Sequence, residues 1–157
     1  MNKAPDRSPM IPWDQCKDDF MWDGSWRDIY ITPASIDDWK AIYQFLRNRP
    51  DLEFFMIDGP DKAPEEIDLS FFSESRPILS FRAGSVSVVF RFFTPDEIEC
   101  DLDPREVKSQ ENLDSLLGFL GRLGDLTQKR AVLTPENMSD VPIISYEPAS
   151  GNFLYHC

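Results

Sequence analysis

The sequence is poor in the residues that most often carry nucleophilic and metal chemistry. It has one histidine, His156, and three cysteines, Cys16, Cys100 and Cys157. A Ser-His-Asp or Cys-His mechanism would have to use His156, beside the chain terminus, where catalytic geometry is poorly held. The cysteines are odd in number and lack a CxxC pair, which argues against a disulfide framework and a zinc site. We therefore expect no catalytic set and no metal, and we place Cys100 in the core because it alternates with apolar residues.

The sequence also lacks the common cofactor and membrane signatures. It contains no GxxxxGK[ST], GxGxxG, HExxH or GxSxG motif. No apolar run approaches the about 20 residues of a membrane-spanning helix. Residues 1–13 contain Lys3 and Arg7, but prolines occupy the place of a signal peptide's apolar segment. The expectation is a cytoplasmic protein without a cofactor and without membrane association.

Positive charge is scarce. The chain has 16 Lys and Arg against 28 Asp and Glu, which gives a net charge of −12. Such a surface repels nucleic acid phosphates and anionic membranes, so neither DNA nor RNA is an expected ligand. A basic protein is the natural complement. The alternative is that the excess of acid only keeps the protein soluble.

Apolar and aromatic residues are plentiful. Hydrophobic residues make up 41% of the 157 residues, with 12 Phe and 4 Trp, enough for the core of a single domain. Three prolines, Pro5, Pro9 and Pro12, mark residues 1–12 as a flexible arm. Residues 13–157 are predicted to form one domain, because no repeat and no linker divides them.

Periodicity and capping signals predict the order of helices and strands. Ser35 and Asp38 resemble a capping box at the start of one helix, which Pro50 ends. Asp103-Pro104-Arg105-Glu106 resembles the start of a second helix with a leucine stripe from Leu113 to Leu123. Pro64 could begin a short helix that places Ile67 and Phe71 on one face. Strands are predicted over 28–32, 52–57, 78–82, 86–93, 97–103, 131–133, 141–146 and 152–155. The order indicates an α+β fold, a mostly antiparallel sheet with two main helices packed on one face.

The most distinctive polar feature is an acidic strand. Residues 97–103 alternate between inward apolar residues and four outward acids, which are Glu97, Glu99, Asp101 and Asp103. Same-face neighbours on a strand stand about 6.6–6.8 Å apart, a spacing that suits two carboxylates flanking a water. Such a pair needs one raised pKa in an apolar cleft, however, and no EF-hand spacing is present. Three interpretations stay open: a solvated strand face, of which a charged sheet edge is one form, a protein-binding face, or a catalytic or metal site.

A second candidate surface lies near the start of the predicted domain. Trp22 and Trp26 flank Asp23, and aromatic rings beside carboxylates can hold a partner's Lys or Arg through cation–π contacts and ion pairs. We predict that these three residues bind a partner together with the acidic strand. The alternative is that both tryptophans are buried under the N-terminal arm. Trp39 lies on the apolar face of the first predicted helix and is predicted to be core.

Three segments carry a resemblance to known proteins. They are residues 22–30 (WDGSWRDIY), residues 93–105 (FTPDEIECDLDPR) and residues 133–137 (LTPEN). Together they resemble a family of small, uncharacterised bacterial proteins, from about Trp22 onward, and this family implies no activity. The overall profile is similar to that of immunity proteins, which are small, cytosolic, often acidic and neutralise bacterial toxins.

These observations lead to one hypothesis with two alternatives. The protein is predicted to be a non-catalytic acidic binding protein, an immunity protein that neutralises a basic bacterial toxin domain such as a nuclease. A small hydrolase with Asp or Glu acid–base pairs is the enzymatic alternative. A structural or regulatory homodimeric subunit is the other. The sequence does not indicate an oligomeric state.

Overall fold

One antiparallel sheet organises the molecule. The computed structural model describes residues 10–50, 52–55, 64–73 and 77–156. Within these residues the strands are β1 (Arg27–Ile31), β2 (Glu53–Phe55), β3 (Ile78–Ala83), β4 (Val86–Thr94), β5 (Glu97–Leu102), β6 (Ala131–Pro135), β7 (Ile144–Glu147) and β8 (Asn152–Tyr155). The α-helices are α1 (Trp13–Cys16), α2 (Ile36–Arg47) and α3 (Gln110–Thr127). Single 3₁₀ turns span Lys17–Phe20, Leu69–Phe72 and Pro104–Glu106.

The strands lie in the order β2-β3-β4-β5-β1-β6-β7-β8, and each neighbouring pair is antiparallel. The helices α2 and α3 pack against each other and on one face of this sheet. The predicted α+β architecture is therefore confirmed. None of the helices in the described ranges has the length and apolar character needed to cross a membrane.

The start of α2 is the predicted capping box. The Ser35 hydroxyl accepts a hydrogen bond from the Asp38 backbone N–H, and the Asp38 carboxylate accepts one from the Ser35 N–H at 3.0 Å. Two of the orphan donors at the helix start are satisfied in this way. The apolar face of α2 is buried, and Trp39 stacks on Phe92 with ring centroids 4.6 Å apart. The prediction that Trp39 belongs to the core is confirmed, as is that for Cys100.

The predicted start of α3 is wrong. Asp103 does accept a hydrogen bond from the Arg105 N–H at 2.9 Å, but it caps only the single turn Pro104–Glu106. Val107 then adopts an extended conformation and buries its side chain in the core, which interrupts the helical path. The helix begins again at Gln110, with the Ser109 hydroxyl as its cap.

Glycines allow the end of α3 to approach the sheet closely. A Cβ added at Gly124 would lie 2.8 Å from Cε1 of Tyr146, and one at Gly121 would lie 3.0 Å from Cζ of Phe153. Both rings come from the hairpin of β7 and β8, which packs on this helix. The two glycines therefore permit close packing of this hairpin on the helix, which continues to Thr127.

One further prediction is wrong, and others fall partly outside the described residues. Pro64 does not begin a helix. Instead Asp68 caps the turn Leu69–Phe72, although Ile67 and Phe71 are both buried. The predicted strand over 52–57 is observed as β2, and residues 56–57 lie outside the described residues, as do residues 1–9 of the predicted arm and Cys157. Within the rest of that arm, Ile11 is buried and its carbonyl accepts a hydrogen bond from Gln110.

Candidate functional site: the acidic open face of the sheet

The acidic strand lies near the middle of the sheet. β5 has β4 on one side and β1 on the other, so the sheet-edge form of the solvated-face interpretation is wrong. The reason is the long-range pairing of β1 with β5, which local periodicity does not reveal. The outward side chains of β5 therefore point from the sheet face opposite α2 and α3. We call this the open face, and its central side chains are Asp28, Tyr30, Arg91, Glu97, Glu99 and Asp101.

Strand register sets these side chains in two rows across three strands. Tyr30 of β1 lies opposite Glu99 of β5, which lies opposite Arg91 of β4. In the next row Asp28 lies opposite Asp101. Side chains directly opposite each other in an antiparallel pair have Cβ atoms about 4.5–5.5 Å apart. The sheet thus holds three carboxylates as near neighbours, and we call Asp28, Glu99 and Asp101 the carboxylate cluster.

The Tyr30 hydroxyl links two members of the cluster. Its oxygen lies 2.9 Å from Asp28 Oδ2 and 3.3 Å from Glu99 Oε1, so its single proton is donated to one carboxylate or the other. Asp28 Oδ2 also accepts a hydrogen bond of 2.8 Å from the Asn137 backbone N–H. Asp28 is only 3% exposed, and these two contacts satisfy its buried charge.

Burial and mutual repulsion weaken the ionised form of the other two carboxylates. Burial raises the pKa of Glu99, and the charge of Asp28 raises it further. Burial also raises the pKa of Asp101, although the Arg91 guanidinium, 3.0 Å away, opposes this. The pKa of Tyr30 is raised by burial and by its hydrogen bond to Asp28. Arg91 is the one cation within ion-pair distance of this cluster in the described part of the chain.

The far end of the acidic strand joins the tryptophan segment through one arginine. Arg105 forms an ion pair with Asp103 at 2.9 Å, and its guanidinium carbon lies 3.8 Å from the centroid of the Trp22 ring. The hydrogen bond from Arg105 lowers the pKa of Asp103. Asp103 and Trp22, two residues predicted to bind a partner, therefore lie in one contact group. One face of Trp22 is already occupied by the protein's own cation.

Trp26 extends the same end of the open face. It precedes β1 by one residue, so the β1–β5 register places it across from Asp103. Its backbone N–H donates to Glu136 Oε2 at 3.3 Å. Trp22 and Trp26 are 46% and 41% exposed. Their predicted alternative, burial under residues 1–12, involves residues 1–9 and lies mostly outside the described residues.

Asp23 supports a loop. Its carboxylate accepts hydrogen bonds from the Ser25 N–H at 3.1 Å and hydroxyl at 2.7 Å, and it pairs with Arg27 at 3.2 Å. These bonds, first among them that from Ser25, lower the pKa of Asp23 to about 2. The Arg27 guanidinium in turn donates to the carbonyls of Asp19 and Met21. Asp23 is therefore ionised and exposed, and its contacts with Ser25 and Arg27 hold its own loop.

Sequence reasoning missed several members of this surface as site residues. In the sequence, Asp28 and Tyr30 alternate with Ile29 and Ile31, which is the signal that the two pairs point to opposite faces. Because all residues of β1 are buried, the two faces of this strand do not differ in exposure. Arg91 has the outward position on β4 that its alternation predicts. Its partner Asp101 could be identified only from the register of β4 and β5.

Metal binding and a histidine-dependent mechanism depend on the surroundings of the acidic side chains and of His156. In the described residues no three or more His, Cys, Asp or Glu side chains are arranged to hold a metal ion. His156 Nε2 lies 2.8 Å from the Ser145 hydroxyl oxygen, but Ser145 is 5% exposed and offers little access to a substrate.

No family model matches the chain, and comparisons with curated proteins and with solved structures return no match. The family resemblance and the immunity profile therefore stay predictions.

Proposed function

We propose that the protein is a non-catalytic binding protein that docks a basic protein domain on its open face. An immunity protein that neutralises a basic toxin domain, such as a nuclease, is the form of this function that we favour. The carboxylate cluster is the observation that carries the proposal. Three carboxylates share the centre of one sheet face, where the described residues place one cation, Arg91, within ion-pair distance, in a chain of net charge −12.

A partner's lysine or arginine would stabilise the ionised forms of the carboxylates on this face. Burial raises the pKa of both Glu99 and Asp101, which means that their charged forms are less favourable than in water. A cation brought against them favours those charged forms, and this gain is made only in the complex. Fixed carboxylates on a rigid sheet also lose little conformational freedom when they bind.

The exposed tryptophans supply the apolar part of the interface. Trp22 and Trp26 lie at the end of the open face beside Asp103, and both present large ring surfaces to solvent. A few buried aromatic residues commonly carry most of the affinity of a protein interface, while surrounding charges speed the encounter. A basic nuclease domain suits this surface because its substrate channel must itself carry positive charge.

Affinity capture from lysate of the source cells tests the proposal. The tagged protein should retain a basic protein in stoichiometric amount at moderate salt and release it at high salt, because the contact is electrostatic. A protection assay then follows with the retained domain expressed as a toxin. Capture of no stoichiometric partner from cells that express a candidate toxin would contradict the proposal.

A carboxylate-dependent hydrolase is the second candidate, and one observation favours it. Asp28 and Glu99 contact the same Tyr30 hydroxyl but differ in environment, since Asp28 is fully buried and the pKa of Glu99 is raised. Pairs of acids with unlike environments are typical of glycosidases. Turnover of aryl glycosides that Glu99→Gln abolishes and Glu97→Gln keeps would support this function. Equal background rates in all three proteins would exclude it.

A further inference from the structure

A basic cleft lies on the helix side of this acidic protein. It has a volume of about 290 Å³ and is bounded by α2, α3 and the turn between β3 and β4. Three arginines line it, and we call it the arginine cleft: Arg49 follows α2, Arg82 lies on β3 and Arg122 lies on α3. No acidic residue is among the described residues that line it. Its charge is therefore opposite to that of the molecule as a whole.

Cation–π contacts hold two of these arginines beside aromatic rings. The guanidinium carbons of Arg49 and Arg122 lie 5.6 Å and 5.2 Å from the centroid of the Phe45 ring, and Arg49 is also 5.5 Å from that of Phe81. A cation–π contact does not use the N–H groups of the guanidinium as hydrogen-bond donors. The contacts with Phe45 and Phe81 therefore leave these donors available to a ligand.

The three arginines have no carboxylate partner within the described residues. The ion pairs there engage Arg27, Arg91 and Arg105, but none engages an arginine of the cleft. Arg82 makes one long contact, 3.5 Å from Nη1 to the Ser85 carbonyl, and its place on β3 between the inward Phe81 and Ala83 directs its side chain toward the open face at the rim of the cleft. In a chain with 28 acidic residues, Arg49 and Arg122 lie over the same Phe45 ring without a counter-charge among the described residues, and they form a local excess of positive charge that an anion would balance.

The back of the cleft is apolar. Phe81 and Phe119 are buried and stack with ring centroids 5.1 Å apart. A low-dielectric wall strengthens the attraction between the arginines and an anion in front of it. At the side, Gly118 leaves open space, since a Cβ built there would meet no atom within 4 Å. The cleft thus combines charge, free donors and room.

We propose that the arginine cleft binds a small organic phosphate, at a site separate from the open face. Guanidinium groups match the geometry of phosphate and carboxylate oxygens, and the two of Arg49 and Arg122 favour a ligand with two negative charges. The volume equals that of about ten waters at ~30 Å³ each, which is more than one inorganic phosphate needs. A phosphate ester or diphosphate with a small organic body fits both the charge and the space.

Titration calorimetry with pyrophosphate, without divalent cations and at constant ionic strength, tests the proposal. The full chain should bind one pyrophosphate, and its melting temperature should rise with ligand concentration. Citrate is the arm that separates a phosphate site from a general polyanion site. Weaker binding of citrate than of pyrophosphate is expected. Equal binding of the two would overturn the assignment to phosphate.

Matched variants identify the cleft as the site. Arg49→Gln/Arg122→Gln should weaken binding by about tenfold or more, since a hydrogen bond to a charged group contributes ~1.5–3 kcal/mol. The control Lys108→Gln/Arg130→Gln changes the net charge equally at exposed positions that do not line the cleft. Equal loss in both variants, or no binding by the wild-type protein, would overturn the proposal.

A substitution at Gly118 separates charge from folding. Gly118→Glu places a carboxylate in the cleft with Arg49 and Arg122, on an exposed helix position where the added Cβ meets no neighbour. It should abolish pyrophosphate binding without lowering the melting temperature. Gly118→Gln has nearly the same shape and should bind more tightly than Gly118→Glu by about tenfold or more. Identical affinities for these two variants would contradict an electrostatic anion site.

Discussion

The two faces of the sheet are stabilised in different ways. On the helix face, side chains such as Phe90, Phe92 and Cys100 are buried against α2 and α3, and their contribution grows with the apolar area removed from water. On the open face, Asp28 and Tyr30 are equally buried but depend on a few directed hydrogen bonds. The comparison teaches that equal burial has different consequences. The helix face is destabilised by the loss of side-chain volume. The open face is destabilised by the loss of a single hydrogen-bond partner.

The largest effect is expected on the helix face. Trp39→Ala should reduce the free energy of unfolding by about 3–5 kcal/mol, because Trp39 is fully buried against Phe90 and Phe92 and its removal leaves a cavity. Trp26→Ala, on an exposed ring, should change it by less than about 0.5 kcal/mol. Urea unfolding of both variants measures the difference. Similar losses would mean that Trp26 is as well packed as Trp39.

The next effect tests the directed bonds of the open face. Asp28→Ala removes the acceptor of the Asn137 N–H and one of the two acceptors of the Tyr30 hydroxyl, which keeps Glu99. The loss of these two hydrogen bonds should cost about 1–3 kcal/mol, since each contributes about 0.5–1.5 kcal/mol. Asp140→Ala, at an exposed turn, is the matched control and should be nearly neutral. If unfolding in urea shows Asp28→Ala to be as stable as the control, repulsion within the carboxylate cluster outweighs these bonds.

A pair of glycine substitutions tests the tight packing of the helix face. Gly124→Ala would place its Cβ against the Tyr146 ring and 3.2 Å from the Lys129 carbonyl, at a cost of about 1–3 kcal/mol. Gly118→Ala meets open space and should stabilise the helix by about 0.5–1 kcal/mol. Thermal unfolding of both proteins should therefore give shifts of opposite sign, and shifts of the same sign would contradict the close approach of β7 to α3.

The smallest effect concerns pH. The pKa of Glu99 is raised in the folded protein, so the folded state binds more protons than the unfolded state between the ordinary and the raised value. The stability contributed by this group is present below its ordinary pKa and is lost as pH rises through the raised value. Glu99→Gln should thus stabilise the protein by a few tenths of a kcal/mol at pH 7, given solvent screening, and by less at pH 4.

The control for this pH effect is Glu97→Gln on the same strand. Urea unfolding at pH 4, 5, 6 and 7 should show a pH-dependent difference for Glu99→Gln that is larger than the one for Glu97→Gln. A Glu99→Gln protein that is less stable than wild type at pH 7 would show that the hydrogen bond with Tyr30 outweighs the burial and repulsion of the carboxylate.

Local patterns in the sequence predict much of the helix face and little of the open face. Periodicity identified the core positions of α2, β4 and β5, because a single element determines which of its residues point inward. The start of α3 was misplaced because Val107 is drawn into the core, an effect of tertiary packing. Asp28 lies near Glu99 because β1 pairs with β5, about 70 residues further along the chain, and no local signal in the sequence encodes this pairing. The arginine cleft likewise combines α2, β3 and α3.

The most direct measurement of the proposed function compares three baits in one lysate of the source cells. Glu97→Lys/Glu99→Gln changes the charge of the open face by three units, and Glu65→Gln/Glu66→Lys makes the same change at exposed positions near α2, on the helix side. We predict that wild type and the helix-side variant retain equal amounts of a basic protein, and that the open-face variant retains at least about tenfold less. Equal retention by all three baits, or no stoichiometric partner on any of them, would contradict the open face as a docking surface.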